Sequence, residues 1–158
     1  MDKDKILIKL SESGMTKVWK EDFAKQSFPQ KVFSAIWQVE AEVNNGGFSQ
    51  YFFNNSRASA WFVALALQEI GAPKTASICE RAIAAAFPSG LPDDLDSIRS
   101  AAAHFSEDIR EKLWTLDKEF YTYPHDLTEL LFTYVKRHPD EFGSLPEPDD
   151  AKPPTRPD

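Results

Sequence analysis

Glu42-Val43-Asn44-Asn45-Gly46-Gly47-Phe48-Ser49-Gln50-Tyr51-Phe52-Phe53-Asn54-Asn55-Ser56 joins two strongly apolar segments through a polar break that carries two glycines. Asn44 and Asn45 tolerate left-handed backbone, and Gly46 takes it at no steric cost, so the spacing predicts that the preceding helix ends at Gly46. Gly47 then lets the next turn pass close to that helix end. Phe48, Tyr51 and Phe52 stand at i, i+3 and i+4, which places three rings on one face of a short helix. Phe53 widens that face and predicts burial on more than one side. Asn54, Asn55 and Ser56 are N-cap candidates for the helix that follows. These residue types describe a structural corner, although amides, Gln50 and aromatic rings could also line a small-ligand pocket.

Around this corner the pattern is helical throughout. Ile6-Leu7-Ile8 predicts a short first helix, with a docked arm as the alternative. Met15, Val18, Trp19, Ala24 and Phe28 predict an amphipathic helix from Thr16 to Gln26. Pro29 suits a first turn, and Val32, Phe33, Ile36, Trp37, Val39 and Val43 repeat at helical spacing. A helix from Arg57 to Ile70 is expected next, lined by Trp61, Phe62 and Leu65 and capped by Gly71. Pro73 opens another, whose stripe of Ala76, Cys79, Ala82, Ile83, Ala86 and Phe87 permits a close helix–helix approach. Pro92-Asp93-Asp94 begins a weaker helix. Ser106 caps a further one, with Glu107 and Asp108 in the first turn and Ile109, Leu113, Leu116 and Phe120 as its core stripe. Asp126 and Glu129 have capping-box spacing before Leu127, Leu130, Leu131, Tyr134 and Val135. Phe142 and Leu145 are expected to tuck back. No strand pair with turn chemistry is present, so the fold class is all-α, about seven helices in one compact domain. The chain is expected to divide into an N-terminal helical arm (1–28), a core (29–145) and a disordered acidic tail rich in proline (146–158).

At 158 residues with 42% hydrophobic side chains, the chain can bury a sizeable core as one domain. It carries 18 basic against 25 acidic residues, a net −7. A phosphate binder needs a basic face, so direct nucleic-acid binding is a poor fit; an acidic surface suits basic partners. The single cysteine, Cys79, excludes an internal disulfide. No run of about 18 apolar residues is present, and the start lacks a signal-type apolar core, which predicts a cytoplasmic protein with no membrane segment.

Catalytic chemistry finds little support. His104, His125 and His138 lack the spacing of a helical metal site, and Glu40, Glu69 and Glu80 read as solvated faces. Cys79 lies in an apolar stripe, where a thiol is an inert small hydrophobe. Gly46-Gly47 follows a helix, not a strand, so it is no phosphate loop. No catalytic residue, metal site or cofactor is expected. Trp114 and Tyr121 fall off the core stripe of their helix, nearly in line with each other. Such a ridge needs a cover. The last helix or the Phe142–Leu145 segment is the expected one, with a second copy of the chain as the alternative.

The corner also carries a resemblance. Asn45, Gly46, Gly47, Phe48, Gln50, Tyr51, Phe52 and Asn54 form Asn-Gly-Gly-Phe-x-Gln-Tyr-Phe-x-Asn. This resembles the signature of a bacterial family, domain of unknown function 4375, which includes a DNA-mimic protein. The likeness continues in order through Ala66–Ala72, Leu116–Tyr121 and Asp126–Leu131, covering residues 30 to 138, with Arg57 standing where a glycine is expected. The resemblance implies a non-enzymatic acidic protein, a homodimer. It would bind a basic DNA-binding protein, such as a transcriptional repressor, and block its access to DNA. From Ser106 to Asp150 the chain holds twelve acidic residues against five basic ones. Glu107, Asp108, Glu111, Glu119, Asp126 and Glu129 are the expected partner-binding face, with Trp114 and Tyr121 as the candidate dimer contact. The alternatives are an enzyme or small-ligand binder at Asn45–Gln50, or a general protein-interaction adaptor.

Overall fold

The computed structural model describes residues 2–145. Among them are eight α-helices, two short 3-10 turns and no strand. The helices are α1 (Lys3–Glu12), α2 (Phe28–Phe53), α3 (Val63–Glu69), α4 (Pro73–Ala86), α5 (Leu95–Ala103), α6 (Glu107–Tyr121), α7 (Leu127–Lys136) and α8 (Pro139–Phe142). The all-α class expected from periodicity is the observed one, with eight helices against the seven expected. The acidic tail lies outside the described residues.

Helix α2 is the hub. Ser27 caps it by accepting from the Gln30 N–H, and Pro29 sits in its first turn. It then runs against α3, α5 and α6, while α4 fills the space between α3 and α6. Val32, Phe33, Ala35, Ile36, Val39 and Val43 are each fully buried along it. Helix α1 buries Ile6, Leu7 and Leu10 and docks on α7. The Thr128 hydroxyl donates to Asp4 at 2.7 Å, and Lys3 pairs with Glu129 across the same seam.

Three helix expectations are corrected. The helix expected from Thr16 to Gln26 does not form; the segment is turns followed by a 3-10 turn, Phe23–Lys25. Side chains tie this loop to itself and to the end of α1. The Thr16 hydroxyl donates to the Leu10 carbonyl at 2.8 Å, and the Gln26 amide donates to the carbonyls of Lys17 and Glu21. Val18 and Phe23 reach the core, but Met15, Trp19 and Phe28 remain exposed. The helix expected from Arg57 to Ile70 is shortened to α3, behind a 3-10 turn at Asn55–Ser59. Ser56 donates to the Tyr51 carbonyl at 2.8 Å, and Ser59 donates to Ser56 at 2.9 Å, so local bonds outcompete a continuous helix. Trp61 and Leu65 consequently lie at the surface.

The third correction concerns the end of α2. Gly46 has φ −157° and does not adopt the expected left-handed backbone; Gly47 does, at φ +76°. The helix breaks here and restarts at once, carrying Phe48, Tyr51 and Phe52 fully inside. The Phe48 and Phe52 rings meet Phe87, Phe105 and Phe120 in edge contacts with centroids 5.1–6.3 Å apart. Burying a ring of this size contributes about 1.5–3 kcal/mol, more than the ~1 kcal/mol of a helix cap, so packing holds the corner more strongly than capping. Phe53, expected to be buried, is exposed with the Arg99 guanidinium 4.8 Å above its ring.

Candidate functional site

The corner is closed from behind by α6. The buried Asp117 carboxylate accepts from the Phe48 N–H at 2.8 Å, and a side chain at Gly47 would collide with that carboxylate. The break therefore presents an otherwise unpaired amide to an acid 69 residues away. Burial pushes the Asp117 titration upward, and the Phe48 N–H opposes this. One residue further along α6 than Phe120, the Tyr121 hydroxyl donates to the Val43 carbonyl at 2.8 Å, just before the break.

The amides of the corner are engaged internally. Gln50 and Asn54 both donate to Glu42 Oε2, at 2.6 and 2.9 Å. Asn44 donates to the Tyr123 hydroxyl at 2.7 Å, which in turn donates to Glu40 at 3.1 Å. Burial raises Glu40 to about 7; the Tyr123 bond opposes this, and Asp4 and Asp126 add to it. Asn45 is exposed. Arg57, the departure from the signature, is buried: its guanidinium donates to the carbonyls of Leu95 at 2.8 Å and Asn54 at 3.0 Å, tying the corner to α5.

The acids of the expected partner face occupy differing environments. Glu107 and Glu111 are exposed on α6. Asp108 is exposed beside Lys112, 3.1 Å away. Glu119 accepts both guanidinium nitrogens of Arg81, at 2.8 and 3.0 Å, and that bond holds its carboxyl below the usual range. Asp126 caps α7 by accepting from the Glu129 N–H at 3.1 Å, while the Glu129 side chain pairs with Lys3. Trp114 is 57% exposed, with Lys118 over its ring at 5.3 Å, and Tyr121 is 41% exposed. The expected cover from within the chain is thus corrected. Helix α7 packs on α1, and Phe142 tucks against Phe33 with ring centroids 5.7 Å apart, so neither reaches Trp114.

Asp117, Glu40, Glu42 and Tyr123 acquire roles that spacing along the chain does not signal, because their partners lie on other elements or across the break. The histidines are each hydrogen-bonded to the backbone. His125 accepts from the Lys74 N–H, and His104 and His138 contact carbonyls one turn back. Burial pushes the Cys79 thiol up. Among the described residues no three His, Cys, Asp or Glu side chains are grouped as a metal site would require. No helix among them is long and apolar enough to cross a membrane.

An all-α chain with a glycine-broken central helix, locked by an acid from a later helix, is the class these observations define. Residues 24–138 match the family described as DMP19-like protein, and the chain belongs to that family. No curated protein and no solved structure matches it.

Proposed function

We propose that this protein is a non-enzymatic DNA mimic. It occupies the DNA-binding face of a basic protein, such as a transcriptional repressor, and so keeps it from DNA. Membership of the DMP19-like family is the observation that carries this reading; the likeness to domain of unknown function 4375 is taken as the same relationship. The net charge of −7 supports it.

The contact face we assign is α6 with the start of α7. Glu107, Glu111, Trp114 and Lys118 succeed one another at four- and three-residue steps, so they share one strip of the helix. Asp108, Glu119, Asp126 and Glu129 complete the proposed acidic set, each already sharing its charge with a base or a cap. The same Trp114–Tyr121 ridge is the proposed contact of a homodimer, and the working compartment is the cytoplasm.

Capture from native lysate at low and high salt tests the reading. Salt-sensitive recovery of a DNA-binding protein is expected. Replacing Glu107, Asp108, Glu111 and Glu119 together by Gln should leave the helix content unchanged and weaken that capture most at low salt. Equal capture by wild type and the quadruple variant at low salt removes the face from the proposal.

A further inference from the structure

Trp19, Glu42, Phe53, Asn54, Asn55 and Arg99 line a cleft of about 290 Å³ on the outer side of the corner. Its volume is at the lower end of small-molecule sites. Gln50 and Asn54 both bind Oε2 of Glu42, which fixes the carboxylate and leaves Oε1 outside that clamp. Arg99 is held over the Phe53 ring at 4.8 Å. Glu42 and Arg99 line the same cleft, yet among the described residues neither forms an ion pair, with the other or with anything else. Trp19 stands half exposed on left-handed backbone, φ +62°. Bulky residues seldom adopt this conformation, and such strain concentrates at ligand sites.

A carboxylate held by two amides and a guanidinium stacked on a ring, lining one small cleft without pairing, with an indole on its wall, complement a molecule that carries both charges at short spacing. We propose that this cleft binds a single α-amino acid. Its ammonium group donates to Glu42 Oε1, its carboxylate accepts from the Arg99 guanidinium, and its side chain lies against Trp19. A nucleotide fits less well, because one guanidinium faces its phosphate while Glu42 repels it. The cleft involves neither α6 nor its acidic strip, so this site and the DNA-mimic reading stand or fall separately.

The test is titration of the ¹⁵N-labelled full-length protein with L-phenylalanine, followed by NMR. The Trp19 indole N–H is assigned from the Trp19→Phe variant. Saturable movement of that signal at millimolar or lower ligand is expected. 2-Phenylethylamine, which lacks the carboxylate, and 3-phenylpropionate, which lacks the ammonium, should each bind at least tenfold more weakly. Arg99→Gln, at an exposed position, should keep the spectrum of a folded protein and lose the response. A Trp19 signal that does not move, equal binding of either analogue, or an undiminished response in Arg99→Gln would each overturn the proposal.

Discussion

At the scale of single residues, two adjacent glycines have different roles. Gly47 needs its missing side chain twice: for φ +76° and for the space filled by the Asp117 carboxylate. Gly46 has a negative φ, and a methyl group there would collide with the end of the Gln50 side chain, which can turn away, and fall 2.9 Å from its Cβ, which yields only if the turn shifts. Positive-φ strain costs of order 1–3 kcal/mol, and displacing Asp117 also orphans the Phe48 amide. Gly47→Ala is therefore expected to cost about 3 kcal/mol or more, and Gly46→Ala less, about 1–2 kcal/mol, through the Gln50–Glu42 bond and a small shift of the turn around the Gln50 Cβ. Chemical denaturation of the two variants side by side measures this; equal losses would contradict the assignment of the turn to Gly47. The doublet was visible in the sequence, but which glycine turns was not, because α6 makes the choice.

At the scale of elements, α6 serves two sides. Leu113, Leu116 and Phe120 face the core, Asp117 and Tyr121 hold the break in α2, and Arg81 reaches from α4 to Glu119 on its flank. That exposed pair contributes little to stability. Trp114 stands clear of all of these contacts at 57% exposure. Trp114→Glu is thus expected to shift stability by under ~1 kcal/mol and to keep its helical circular dichroism. Sedimentation then reads the proposed dimer: a folded monomer from a dimeric wild type places Trp114 in the contact, and an unchanged dimer excludes it. The core stripe of α6 and its Ser106 cap were legible from spacing alone. The role of Asp117 was not, since an acid among twelve in an acidic stretch carries no mark of its buried partner.

At the scale of the whole molecule, Glu40 links α2 to the loop after α6 through Tyr123. Its titration is raised from an ordinary 4.5 to about 7, chiefly by burial. A carboxyl raised on folding is protonated more readily in the folded state than in the unfolded one. Its contribution is complete below about 4.5 and is lost as pH climbs through about 7, on the order of 3 kcal/mol in all. Asp117, also raised, acts in the same direction. Stability should therefore decline between about pH 5 and 7 in the wild type and decline less in Glu40→Gln, as read by denaturation at a series of pH values. Parallel curves for the two proteins would show that Glu40 does not titrate there.

The sequence by itself determined what depends on neighbours along the chain. Helical periodicity, the caps at Ser106, Asp126 and Gly71, and the buried face of Phe48, Tyr51 and Phe52 all rest on residues within a turn or two of one another. Family kinship rests likewise on an ordered set of local motifs. Tertiary structure decided what depends on residues distant in sequence. It chose Gly47 over Gly46 because Asp117 fills the space beside it. It made Thr16–Gln26 a loop despite its apolar spacing, with Thr16 tied back to Leu10 and Gln26 to Lys17 and Glu21. It left Trp114 at the surface because α7 found its apolar partner in α1. Local periodicity reports which residues are able to form a helix; competition for hydrogen bonds and buried space among distant segments settles which of them do.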